Sequence, residues 1–169
     1  MEDRRTKPRW REVRHQIESG DRPHHVANYV LRRMNIQHPP VPVESIAKHL
    51  DVELIRDPRL DVAGVLQSTR ESAIITVNSS DPPVRQRFTV AHELGHLLLH
   101  TIGIQFRDTF FGTTGDWKES QANEFAASLL MPLWMLEPIV GRKRLTGKKL
   151  ADMFEVSSAA LNVQLKKLV

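Results

Sequence analysis

His92-Glu93-Leu94-Gly95-His96 sets two imidazoles four residues apart with a carboxylate next to the first. One helical turn rises about 5.4 Å, so on a helix both rings leave the same face and can reach one divalent ion at roughly 2.0–2.1 Å. Glu93 is rotated by about 100° from His92. That is too far round to join as a third ligand in the same plane, but well placed to take a proton from a water held by the ion. The chemistry expected of these residues is hydrolysis by a water activated between a Lewis acid and a carboxylate base.

The flanks describe the element that must carry them. Arg85-Gln86-Arg87-Phe88-Thr89-Val90-Ala91 leads in and Leu97-Leu98-Leu99-His100 follows, which predicts a long helix over about 82–100, apolar on most of its circumference and therefore buried. Ser79 or Ser80 is the expected cap, and Pro82 and Pro83 suit a first turn. Two histidines inside such a helix need partners, because each unpaired buried polar group costs on the order of 1–3 kcal/mol. A metal supplies both. Core histidines bonded to backbone carbonyls are the alternative, and Glu93 between them argues against it.

A catalytic zinc normally takes three protein ligands and keeps one position for water. A third histidine six residues beyond His96 is excluded, since Ile102 stands there and Leu99 replaces the glycine that pattern needs. The candidates are His100, Asp108, Asp116, Glu119, Glu124 and Glu137. His100 lies one further turn along the same helix, so three successive ligands would spread along its axis instead of converging. Glu119 is better placed, because Ala122, Ala126 and Ala127 give its helix a small-residue face that lets two helices approach. Asp116 with Glu119 three residues later is equally a capping-box pattern, so spacing alone leaves ligand and cap open.

Composition bounds the rest. The chain has 169 residues, 26% charged and 40% hydrophobic, and no cysteine, which fits one soluble core and removes disulfides and thiolate metal sites. Any metal is then held by histidine and carboxylate. The densely charged first fourteen residues contain no signal-peptide core, so a cytoplasmic location is expected. Residues 125–136 form the most apolar stretch, but they fall well short of the about 20 needed to span a bilayer and include Pro132. They read as core, with no membrane partner. The net charge of +4 gathers in Arg4, Arg5, Lys7, Arg9, Arg11 and Arg14, and again in Arg142, Lys143, Arg144, Lys148 and Lys149. Such clusters can contact phosphates or an acidic protein, though most are simply solvated.

Periodicity predicts helices over 23–34, with Val26, Ala27, Val30 and Met34 inward, over 43–50, and over 117–131, where Pro132 ends or kinks the run. Strands are expected over 52–56, 62–67 and 73–77, the last two joined by a polar turn at Thr69-Arg70-Glu71. Residues 101–115 read as loop. Residues 150–168 read as two helices joined by a tight turn, Ser157 capping the second, with Ser158, Asn162, Gln164 and Lys166 outward. The spacing resembles a DNA-binding helix-turn-helix, but Glu155 occupies the turn where glycine is usual. A helical subdomain packed on the rest is the favoured reading. The expected organisation is a basic, flexible segment 1–20, a catalytic domain 21–141 and a C-terminal pair 142–169.

Arg87-Phe88-Thr89-Val90-Ala91-His92-Glu93-Leu94-Gly95-His96 and Glu119-Ser120-Gln121-Ala122-Asn123-Glu124-Phe125-Ala126-Ala127-Ser128-Leu129-Leu130-Met131-Pro132 resemble the two sequence blocks of the ImmA/IrrE family of bacterial metallopeptidases. The likeness extends to Pro39-Pro40-Val41, Ile74-Ile75-Thr76-Val77-Asn78, Leu150-Ala151 and Val156-Ser157. It implies an α+β, minimal zincin-like fold with a small three-stranded sheet, the buried HExxH helix and the C-terminal helix pair. It also implies Glu119 as third ligand to zinc beside His92 and His96, Glu93 as base, and Asn123 orienting a metal-bound histidine. Manganese or iron can take the same ligands. The implied partner is a helix-turn-helix repressor, cut to relieve repression. A DNA-binding regulator and a non-catalytic toxin or antitoxin module are the alternatives. The donor for the developing oxyanion is open among Tyr29, His24, His25, His38 and His49, and strand 73–77 is a candidate edge for an extended substrate.

Overall fold

A computed structural model describes residues 8–17, 20–100, 106–108, 117–142 and 145–169. Within them the chain runs α1 (Arg9–Gln16), α2 (Pro23–Arg33), α3 (Val43–His49), β1 (Glu53–Asp57), β2 (Gly64–Ser68), β3 (Ala73–Asn78), α4 (Pro83–Leu99), β4 (Phe106–Asp108), α5 (Trp117–Leu130), α6 (Leu133–Arg142), α7 (Gly147–Phe154) and α8 (Ser158–Leu165). The α+β class and the expected elements from α2 to α5 are present, with ends shifted by a residue or two.

The first departure is α1. Its residues fall in the segment expected to be flexible, yet Trp10 and Val13 are both 0% exposed, and the Trp10 amide donates to the Leu50 carbonyl at 3.1 Å. Trp10 and Val13 are three apart and share one helix face, and the surrounding arginines mask that short amphipathic signal. Trp10→Ala is therefore expected to destabilise the protein by about 3–5 kcal/mol, read as a lower denaturant midpoint with an unchanged slope.

The three expected strands form a sheet, and β4 extends it at residues read as loop, giving the order β1-β3-β2-β4. β3 is paired on both sides, parallel to β1 (Leu54 opposite Ile75) and antiparallel to β2 (Leu66 opposite Ile75). It therefore cannot serve as the edge proposed for it, and β1 and β4 are the outer strands. Ala73, Ile75 and Val77 alternate inward to the core, leaving Ile74, Thr76 and Asn78 half-buried.

α4 lies across β2 and β3 with α5 against its other side. It starts at Pro83, without a side-chain cap. The serines expected to cap it hold the preceding turn instead, the Ser80 amide donating to Asn78 Oδ1 and its hydroxyl to the Pro58 carbonyl, both at 2.9 Å. Arg87 fastens α4 outward, donating to the Val41 carbonyl at 2.9 Å and the Glu155 carbonyl at 3.1 Å. Glu155 adopts the left-handed conformation (φ 51°, ψ 50°) that glycine would take more cheaply, and its carboxylate also meets Arg87 at 3.3 Å.

One apolar cluster runs from Trp10 through Leu94 and Phe125 to Phe154 and Leu161, so α7 and α8 share the core of the rest. Ser157 caps α8 through the Ala160 amide at 3.1 Å. Gln164, expected outward, is buried and donates to the Met131 carbonyl at 2.9 Å, because it sits three residues after buried Leu161 on the same face. Among the described residues no single helix is long and apolar enough to cross a membrane, and Phe125, Leu129, Leu130 and Leu136 are buried in the core.

Candidate metal centre

Two glycines set the distances here. A Cβ on Gly95 would stand 3.2 Å from Ala122 Cα and 3.1 Å from the Phe125 ring, so α4 and α5 touch almost backbone to backbone at this point. His96 adjoins Gly95 and His92 lies one turn before it, while Glu119 lies one turn before Ala122. The close crossing thus delivers a carboxylate from α5 to two imidazoles of α4. On the sheet side, a Cβ on Gly64 would stand 2.4 Å from Thr89 Cγ2 and 3.2 Å from Glu93 Oε1, so β2 forms a floor directly beneath Glu93. Gly95→Ala is expected to push α5 outward, costing about 1–3 kcal/mol and weakening metal retention, as read by thermal melting and by dialysis against a chelator.

His92 Nε2 lies 3.1 Å from Glu119 Oε2, His96 Nε2 lies 2.9 Å from Glu119 Oε1, and the two Nε2 atoms are 3.1 Å apart. Ligand atoms at roughly 2.0–2.1 Å from a tetrahedral ion are separated by about 3.3 Å, so the three groups stand close to the spacing that one shared ion requires. They can hold a divalent metal. Both histidines are buried, whereas the Glu119 side chain is 26% exposed, leaving the approach on the α5 side. Hydrogen bonds from His92 and then His96 hold the Glu119 carboxyl well below the usual carboxylate range. The attraction that a proton on an imidazole exerts there is what a cation supplies in its place.

The outer ring nitrogens are also engaged. His92 Nδ1 lies 2.9 Å from Asn123 Oδ1, so with its proton on Nδ1 the ring donates there and leaves the Nε2 lone pair available to a cation. His96 Nδ1 lies 2.8 Å from His100 Nδ1, and His100 Nε2 lies 3.0 Å from Gln121 Oε1. Burial pushes the His100 imidazole down to about 4, so it is neutral near pH 7 and can accept one hydrogen bond while donating another.

Residues 47–166 match the peptidase family described as the IrrE N-terminal-like domain. The chain belongs to the ImmA/IrrE family. The radiation response metalloprotease IrrE of Deinococcus deserti is 37% identical over 87 residues, covering 49% of this chain and 31% of that protein. Its namesake from Deinococcus radiodurans is 34% identical over 87 residues, covering 49% and 26%. The chain thus matches less than a third of either relative's length. A Mycobacterium tuberculosis transcriptional regulator superposes with a TM-score of 0.61 over 92% of this chain and 51% of that one, at 14% identity, which is a likeness of fold.

In this ImmA/IrrE-family chain, His92, His96 and Glu119 come together, Asn123 stands behind His92, and Glu93 lies wholly buried on the same helix. The other ligand candidates go elsewhere. His100 turns to His96 and Gln121, Glu124 pairs with His24 at 3.1 Å, and Glu137 is exposed on α6. Asp116 and the side chain of Asp108 lie outside the described residues. Of the oxyanion candidates, His24 is held by Glu124 and His49 lies 3.4 Å from Arg9 Nη1. Sequence reasoning missed Gly64 beneath Glu93 and Gln121 beside His100. His100 reads from the sequence as a ligand candidate, although the same four-residue spacing from His96 also suits a supporting hydrogen bond.

Proposed function

We propose that this chain is a zinc-dependent endopeptidase that cuts a peptide bond in one specific protein, a helix-turn-helix transcriptional repressor, and so relieves repression in the cytoplasm. The observation that carries the reading is the convergence of His92, His96 and Glu119 with Glu93 buried beside them. Two imidazoles and one carboxylate suit zinc, and manganese or iron fits the same donors less selectively. A bound cation supplies Lewis acidity toward the scissile carbonyl and lowers the pKa of water to about 7. Glu93 takes the proton released by the attacking water and passes it to the departing amine. Gly64 keeps the carboxylate close to the sheet, while Asn123 and His100 fix the rings so that both Nε2 atoms face Glu119. An extended substrate adds along β4, the outer strand beside β2.

The α7–α8 pair serves as a docking element for the repressor, since its inner face is used by the core while Ser158, Asn162 and Lys166 face out. The test compares new protein N-termini in cells expressing wild type and Glu93→Gln. One wild-type-specific cut, in a helix-turn-helix repressor, is expected. Equal profiles, or cuts spread across many proteins, would contradict a narrow regulatory protease.

A further inference from the structure

We propose that Arg14, on α1, is a positioning residue for the metal centre, acting through His100 together with Gln121. The chain of contacts starts at His96. Its Nε2 faces Glu119 and His92, where a shared cation would take its lone pair, so in the metal-holding tautomer its proton sits on Nδ1, 2.8 Å from His100 Nδ1. Two facing ring nitrogens bond only if one carries the proton and the other does not. His100 therefore accepts at Nδ1 and carries its own proton on Nε2, which is the atom that lies 3.0 Å from Gln121 Oε1. Gln121 thus selects the His100 tautomer that His96 needs.

His100 itself stands at a weak point. It is the first residue beyond α4, with extended backbone (φ −115°, ψ 177°), and the last carbonyls of any helix lack intrahelical partners. The Arg14 guanidinium donates to the carbonyls of both Leu97 and His100. It closes the final turn and places a positive charge at the negative end of the helix dipole. α1 is itself anchored by buried Trp10 and Val13, so the guanidinium is held from a separate packed element. This helix precedes the segment matching the family, residues 47–166.

The inference rests on the reading of His92, His96 and Glu119 as ligands. It is tested by zinc affinity, measured by chelator competition on full-length wild type, Arg14→Met, Arg14→Lys, His100→Leu and Val13→Ala. His100→Leu is expected to weaken zinc binding by about 10–100-fold, the range for losing a group that orients a ligand. Arg14→Met should weaken it several-fold and Arg14→Lys should recover part of the loss. Val13→Ala, which trims the packing of α1 while Trp10 still holds the helix in place, should lower the melting temperature and leave zinc affinity within twofold. In zinc-loaded protein the His96 Nδ1–H proton should exchange slowly in wild type and fast in His100→Leu. Unchanged affinity in Arg14→Met, or an equal loss in Val13→Ala, would reduce Arg14 to a structural anchor and overturn the proposal. Wild type that takes up no zinc would instead sink the ligand reading beneath it.

Discussion

Glu93→Gln is expected to abolish turnover while leaving metal content, fold and melting temperature close to wild type. The substitution is nearly isosteric at a position that is 0% exposed, and Glu93 is not among the three groups whose donor atoms converge. In the proposed mechanism, what it removes is a base. A carboxamide cannot take a proton from water or return it to the amine, and a positioned general base contributes about 10²–10⁴-fold. The fall should therefore appear in kcat, with little change in substrate affinity, measured as the rate of appearance of the cut product. A biological effect that survives this change would favour the non-catalytic binding-module reading.

Glu119→Ala is expected to have the largest effect on the metal. Glu119 is the only acidic member of the cluster and the only one from α5. Its carboxylate lies within 3.1 Å of both Nε2 atoms, which holds it ionised. Without it the two imidazoles offer neither the third donor nor the compensating charge. The loss of affinity should exceed the about 10–100-fold typical of removing an orienting partner. Glu119→Asp keeps the charge but shortens the reach from α5, so it should retain metal only weakly. Asn123→Ala, which removes the partner of His92 Nδ1, should fall within that 10–100-fold range. The ordering of these variants in a chelator competition separates a ligand from its support.

The site was legible in the sequence where its geometry is local. His92, Glu93 and His96 are fixed relative to each other by helical spacing alone, so the HExxH helix and the role offered to each residue follow from their positions. Glu119 is a different matter, because its place depends on how α5 crosses α4. Spacing left ligand and helix cap equally open, and only the resemblance in the second block favoured the ligand. The device that decides the crossing, Gly95 against Ala122 and Phe125, leaves no mark in periodicity. The sheet shows the same division. Alternation located β1, β2 and β3, but the parallel pairing of β1 with β3 is a long-range choice that turned a presumed edge into an interior strand. β4 is three residues long, too short for a pattern to register. Arginines around Trp10 and Val13 hide α1, and polarity points Gln164 outward although its spacing from Leu161 places it inside.

The most direct measurement is elemental analysis of purified wild type beside Glu119→Ala. Close to one equivalent of zinc per chain is expected in the wild type and little in the variant, both folded. A wild type without near-stoichiometric divalent metal, or a variant that keeps its metal as tightly as the wild type does, would contradict it.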